Sequence, residues 1–225
     1  MPDGRAEVIA AWDEGPLLRA ARLSALPAYR AGQAIKIYTE SGGALFALAT
    51  AHGRGRAPEL LLRRGGGVAN RLIASLAPGE KFDYDGPIGP GFPLEHARGR
   101  DVLLVAAGSA ISAIRAVIET IIDERAAYGR VSLFYGQEQK GDFAYADARA
   151  AWISAGIDVT LCAHAPDESW TGARGFVQDA IIGGELQIDP RGAVAYLCGM
   201  PGMVSGVREA LAPLGLPYDR TFLNY

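Results

Sequence analysis

One stretch of this 225-residue chain limits its architecture more than any other: residues 101–119, DVLLVAAGSAISAIRAVIE, where a buried strand, a turn of small residues and an amphipathic helix follow without interruption. Val102, Leu103, Leu104 and Val105 form a continuous apolar run, as expected of a parallel strand covered on both faces. Ile111, Ile114, Ile118, Ile121 and Ile122 recur at helical spacing. The connecting Ala106-Ala107-Gly108-Ser109-Ala110 is small enough for a ligand's phosphates to approach the backbone N–H groups of residues 109–112, where the positive end of the helix dipole adds to the attraction. The turn lacks the three glycines of the dinucleotide fingerprint, and Ala110 sits where a second glycine would help. On this segment alone, a nucleotide seat and a plain structural turn are both open readings.

Around this unit the chain changes character near residue 100. Before it, the pattern is all-β: candidate strands at 7–12, 17–23, 34–38, 45–50, 59–62 and 81–84 are separated by turn signals such as Gly15-Pro16 and Gly42-Gly43. Short strands in this number suggest a small antiparallel barrel. The exception is 68–76, VANRLIASL, which shares a helical face directly after Gly65-Gly66-Gly67 and so offers a second phosphate-competent helix start. After residue 100, compact apolar strands at 102–106, 131–135, 159–163 and 193–198 alternate with helices, and 221–225 is a possible fifth strand of a parallel sheet with helices on both faces. The expected domains are therefore 1–99 and 100–225. Ligands of such a sheet bind at the carboxyl ends of its strands, where Gly108, Gly136 and Cys198-Gly199 fall.

Composition narrows the chemistry by exclusion. A charged share of 21% and a net charge of −3 suit an ordinary globular protein and point to no nucleic-acid partner. No segment approaches 18 consecutive apolar residues, so no membrane span is expected, and a cytoplasmic protein is the default. The two cysteines, Cys162 and Cys198, are too few for a four-thiolate cluster and read as buried free thiols of a reducing compartment. The chain has no HExxH, GxxxxGK[ST] or GxSxG motif, and His52, His96 and His164 read as surface or loop residues.

The order of segments resembles the ferredoxin-NADP reductase superfamily, in which a flavin-binding β-barrel precedes a nicotinamide-nucleotide domain. The resemblance rests on AGQAIKIY (31–38), LFALAT (45–50), GGGVANRL (65–72), DYDGPIGPGF (83–92), GSAISAIRA (108–116), FYGQ (134–137), SWTGARGFV (169–177) and CGMPGMV (198–204), and spans nearly the whole chain. It is greatest to the compact reductase-like proteins of plants and bacteria. It implies an FAD-dependent NAD(P)H oxidoreductase that passes hydride from a nicotinamide nucleotide to the flavin and electrons on to an acceptor such as a small redox protein. A non-catalytic nucleotide-binding or regulatory subunit on the same fold is the alternative.

Carried over by residue, the resemblance places Phe46, Ala47, Leu48 and Thr50 beside the flavin, with Leu45 at the position of the family's pyrophosphate-binding arginine and Ala47 at that of a hydroxyl. Gly66, Gly67, Val68 and Ala69 match its second phosphate turn; Arg63, Arg64 and Arg71 are substitutes for the missing cation or solvated surface arginines. Gly108, Ser109, Ala110 and Ile111 match the nucleotide turn, with Gly136 at a neighbouring strand end. Cys198, Gly199, Met200 and Met203 belong to the segment near the nicotinamide, Cys198 being a catalytic candidate or a buried thiol. Tyr225 is an aromatic to cover the flavin or a frayed end, and Trp170 and Phe176 read as packing residues. Cys162-Ala163-His164-Ala165 offers no guanidinium for a 2′-phosphate, so the donor is NAD or NADP. Arginines 54, 56, 63, 64 and 71 suggest a docking patch for an acidic acceptor or a solvated face.

Overall fold

A computed structural model describes residues 1–40, 42–65 and 67–224. The expected positions Gly66 and Tyr225 lie outside the described residues. In the first half, β1 (Gly4–Asp13), β2 (Leu18–Leu23), β3 (Ala34–Thr39), β4 (Gly42–Ala47), β5 (Glu59–Arg63) and β6 (Lys81–Ile88) form one antiparallel sheet in the order β4-β3-β6-β1-β2-β5. The sheet curls until its two edges meet at a bridge between Leu48 and Leu60, as the twist of alternating strands favours. Ile35, Ile37, Leu60, Leu62 and Phe82 fill its interior, and α1 (Gly67–Ser75) closes one end through Leu72.

β4 starts three residues earlier than the sequence pattern suggests and ends at Ala47. The two glycines expected to form a turn are strand residues. Gly43 lies opposite Tyr38, and a Cβ there would come within 3.1 Å of the Tyr38 ring and 2.8 Å of Lys36 Cε. A side chain there would have to displace the Lys36 chain end and the Tyr38 ring, which glycine avoids.

The second half is a parallel sheet ordered β10-β9-β8-β7-β11-β12, from β7 (Val102–Ala107), β8 (Val131–Gln137), β9 (Ile157–Ala163), β10 (Ala173–Arg174), β11 (Val194–Cys198) and β12 (Thr221–Leu223). It has six strands where five were expected; the extra one is the two-residue β10. Helices α2 (Ile111–Asp123), α3 (Ala146–Ser154), α4 (Val177–Ile182) and α5 (Pro201–Leu211) cover it. The chain runs outward from β7 through β8 and β9, then returns to the other side of β7 for β11. This reversal opens a crevice at the carboxyl ends of β7 and β11. Leu18, Ala20 and Leu61 of the first half share one core with Ile111, Ala113, Ile114 and Val117 of α2, which packs the curled sheet beside that crevice.

Candidate functional site

The crevice is a cavity of about 810 Å³, a volume typical of small-molecule and cofactor sites. Its floor is the turn after β7. Gly108 adopts φ +61, a conformation glycine takes without strain, and Gly108–Ala110 form one 3-10 turn before α2. Tyr135, buried in β8, donates its hydroxyl hydrogen to the Gly108 carbonyl oxygen at 3.3 Å and fixes the turn from below. α2 carries no acidic residue in its first turn, so nothing opposes an anion at its positive end.

Of the positions singled out in the sequence, Gly108, Ser109, Ala110, Gly136, Cys198, Gly199, Met200 and Met203 all line this cavity. Ile111 is not among the lining residues: its side chain is fully buried in the core, so its part in the turn is that of its backbone N–H. Gly136 is required for packing as well, because a Cβ there would lie 2.9 Å from Val177 Cγ1. Cys198 donates its S–H to Asn224 Oδ1 at 3.3 Å, and burial pushes its thiol up to about 12. It is therefore a neutral S–H at the cavity wall at physiological pH, not a thiolate nucleophile.

The cavity also gathers residues that the sequence reading passed over. His164, exposed as expected, stacks on Phe176 with ring centroids 5.0 Å apart and 18° between planes, and both line the cavity. Phe176, expected to be a packing residue, is 55% exposed because it caps the start of α4 instead of entering the core. Trp170 does pack, stacked on Phe143 at 5.3 Å. Leu17 and Arg63 reach the cavity from the curled sheet. All these residues sit at strand ends or in the loops that follow them, a signal available in the sequence once the strand order is known.

The residues expected around a flavin divide. Phe46 and Ala47 are half-buried, as are Val68 and Ala69 in the first turn of α1, whose Gly67 is exposed. Asn70 Oδ1 accepts the Gly65 N–H at 2.9 Å and ties the preceding turn to the helix. Phe46 thus leaves part of its ring uncovered, and α1 begins at the surface. Leu48 and Thr50 do not face a ligand. Leu48 is fully buried, and the Thr50 hydroxyl is occupied by Tyr29 at 3.0 Å, the Ala57 carbonyl at 3.2 Å and the Glu59 N–H at 3.3 Å.

A further correction concerns the missing arginine. Ala44 pairs with Ile37 and Phe46 with Ile35, so Ala44 and Phe46 share the inner face of β4, while Leu45, opposite Lys36, points outward and is 60% exposed. The position that could share a ligand with Phe46 is Ala44.

The expected basic docking patch is largely neutralised within the chain. Arg54 pairs with Asp123 at 3.3 Å, Arg56 with Asp123 and with Glu119 at 3.6 Å, and Arg64 with Asp13 at 2.9 Å. Among the described residues no group of His, Cys, Asp and Glu could hold a metal ion, and no helix is long and apolar enough to cross a membrane.

Residues 104–209 match the family model described as the oxidoreductase NAD-binding domain. The chain is 30% identical over 170 residues to fruit protein pKIWI502 of Actinidia deliciosa, covering 74% of this chain and 53% of that one. Its fold matches the flavohem-like FAD/NAD binding domain of nitric oxide dioxygenase from Vibrio cholerae O1 biovar El Tor, with a TM-score of 0.87 at 21% identity over 99% of this chain and 98% of the other. It likewise matches a ferredoxin NADP+ reductase from Neisseria gonorrhoeae with bound FAD and NADP, with a TM-score of 0.82 at 17% identity over 98% and 97%. The chain spans about half the length of the curated relatives it matches.

Proposed function

From a chain whose residues 104–209 match the oxidoreductase NAD-binding domain, set behind a curled sheet in a fold like that of a ferredoxin NADP+ reductase, we propose a flavin-dependent NAD(P)H oxidoreductase acting on a one- or two-electron acceptor such as a small redox protein. The observation that carries this reading is the cavity at the carboxyl ends of β7 and β11, lined by both halves of the chain. Residues 100–225 hold the nicotinamide nucleotide in it, residues 1–99 hold the flavin beside it, and the two buried unpaired thiols suit the cytoplasm. A flavin held there would supply the redox chemistry, as the acceptor of hydride from reduced nicotinamide.

The side chains then have positioning work only. The N–H groups of the 108–112 segment seat the pyrophosphate, and the exposed face of Phe176, backed by His164, offers a platform for a flat base. Cys198, Gly199 and Met203 bound the nicotinamide end. Gly199 leaves room there, since a Cβ would run into the Met203 side chain. Phe46, Ala47 and the α1 start receive the flavin. At the end of β9 the nearby Arg174 turns one nitrogen, Nη2, to the carbonyls of Asp167 and Trp170, at 3.1 and 3.4 Å, and the segment 162–165 itself brings no guanidinium, so NADH is the favoured donor. The visible spectrum of gently purified protein, followed by flavin titration, tests the reading, and stopped-flow reduction with NADH and NADPH separately tests donor choice. Flavin uptake with faster reduction by NADH is expected. Failure to take up flavin overturns the reductase and leaves a nucleotide-binding subunit.

A further inference from the structure

The nucleotide turn supplies backbone N–H groups but no cation of its own. Between Gly108 and Ala116 the one basic residue is Arg115, and it is committed elsewhere. Its guanidinium donates to Glu59 Oε2 at 2.6 Å and Glu119 Oε1 at 2.9 Å and lies 4.5 Å over the Tyr145 ring. The curled sheet compensates. β5 packs against the 108–110 turn, with Glu59 at its start and Arg63 at its end. Glu59 is 3% exposed and held to α2 by Arg115. Arg63 lines the cavity together with Gly108, Ser109 and Ala110. Its neighbour Arg64 is held by Asp13, but no described residue forms an ion pair with, or accepts a hydrogen bond from, the Arg63 guanidinium.

Resting on the nucleotide-binding reading above, we propose that Arg63 is the pyrophosphate ligand of the nicotinamide nucleotide, contributed across the two halves, and that Glu59 and Arg115 are positioning residues that hold its strand over the turn. A guanidinium presents a planar fork of donors that suits phosphate oxygens, and here it adds charge to the helix N-terminus. The flavin carries the other pyrophosphate of the complex. Arg63 points away from that use, because it shares its cavity with the strand ends of the parallel sheet and not with Phe46 or Val68.

Calorimetric titration of the intact protein with NAD+, with ADP-ribose and separately with FAD tests this in wild type, Arg63→Gln and Arg63→Lys. The Gln variant is expected to weaken NAD+ and ADP-ribose alike by about ten- to a hundredfold and to leave FAD unchanged. The Lys variant should recover part of the loss. Arg63 is exposed, so all three proteins should melt together. Equal NAD+ affinity in wild type and Arg63→Gln, or a loss confined to FAD, overturns the proposal while leaving nucleotide binding intact. A wild type that binds no NAD+ sinks both. For the positioning pair, Glu59→Gln should raise the NADH KM without lowering kcat, and should add no further loss of NAD+ affinity in the Arg63→Gln background. Additive losses would mean that Glu59 has a structural role only.

Discussion

A side chain one position along a strand points to the opposite face, and on β4 that step separates Leu45, 60% exposed, from Phe46, packed on the interior of the curled sheet. An arginine at 45 would extend into solvent beside Lys36; one at 44 would lie on Phe46's face of the strand. Ala44→Arg is therefore expected to tighten flavin binding by about ten- to a hundredfold, the worth of a charge-assisted phosphate contact. Leu45→Arg should leave it unchanged. Dissociation constants from flavin fluorescence quenching decide, and a larger gain at 45 would mean that the flavin lies on the outer face. The motif reading misplaced this position because matching letters carries no facing. Only the pairings of Ala44 with Ile37 and Phe46 with Ile35 reveal it.

At the scale of elements, the strand-turn-helix unit around Gly108 was legible because hydrophobic period, turn composition and helix pattern agree within twenty residues. Cys198-Gly199, at the end of a neighbouring strand, followed from the same logic, whereas Met200 and Met203 were implied only by the family resemblance. The contributions of Arg63, His164 and Phe176 were not legible, since each depends on which strand ends lie side by side, and strand order is set by long-range pairing. The contact between β5 and α2 belongs to this second class. Burial alone would push the Arg115 guanidinium down, but the Tyr145 ring, Glu59 and Glu119 hold it above its ordinary range. Tyr145 contributes its ring face and not charge, because burial keeps its phenol protonated. Removing Arg115 leaves Glu59 with Arg22 as its remaining partner, at 2.8 Å, and Glu119 with Arg56, at 3.6 Å. Arg115→Met is expected to cost about 1–3 kcal/mol, whereas Glu59→Leu with Arg115→Met together should cost less, because it leaves no carboxylate buried at 59 and the freed Arg22 is half-exposed to water. Urea denaturation of the two variants measures both, and an equal loss in each would show that the pair adds nothing beyond packing.

For the molecule as a whole, the two sheets are not independent bodies joined by a linker. Leu18, Ala20 and Leu61 of the curled sheet and Ile111, Ile114 and Val117 of α2 belong to one buried cluster. Glu14 adds a polar tie: one carboxylate oxygen accepts the Trp12 indole N–H, and the other accepts the backbone N–H of Tyr145, each at 2.7 Å. Tyr145 itself holds φ +63, a conformation that costs a non-glycine residue energy and that Glu14 stabilises from the other half of the chain. A chain tied in this way should unfold as one cooperative unit. Trp12 reports on the curled sheet and Trp152 and Trp170 on the parallel one, so variants that retain a single tryptophan separate the two signals. Their denaturation midpoints should coincide with each other and with far-ultraviolet circular dichroism. Saturating NAD+ should then raise both midpoints together, by about 2.7 kcal/mol at a hundred times the dissociation constant. Midpoints that separate, or a nucleotide effect on the Trp152 and Trp170 signals alone, would show that the halves fold apart and that the cavity belongs to the parallel sheet by itself.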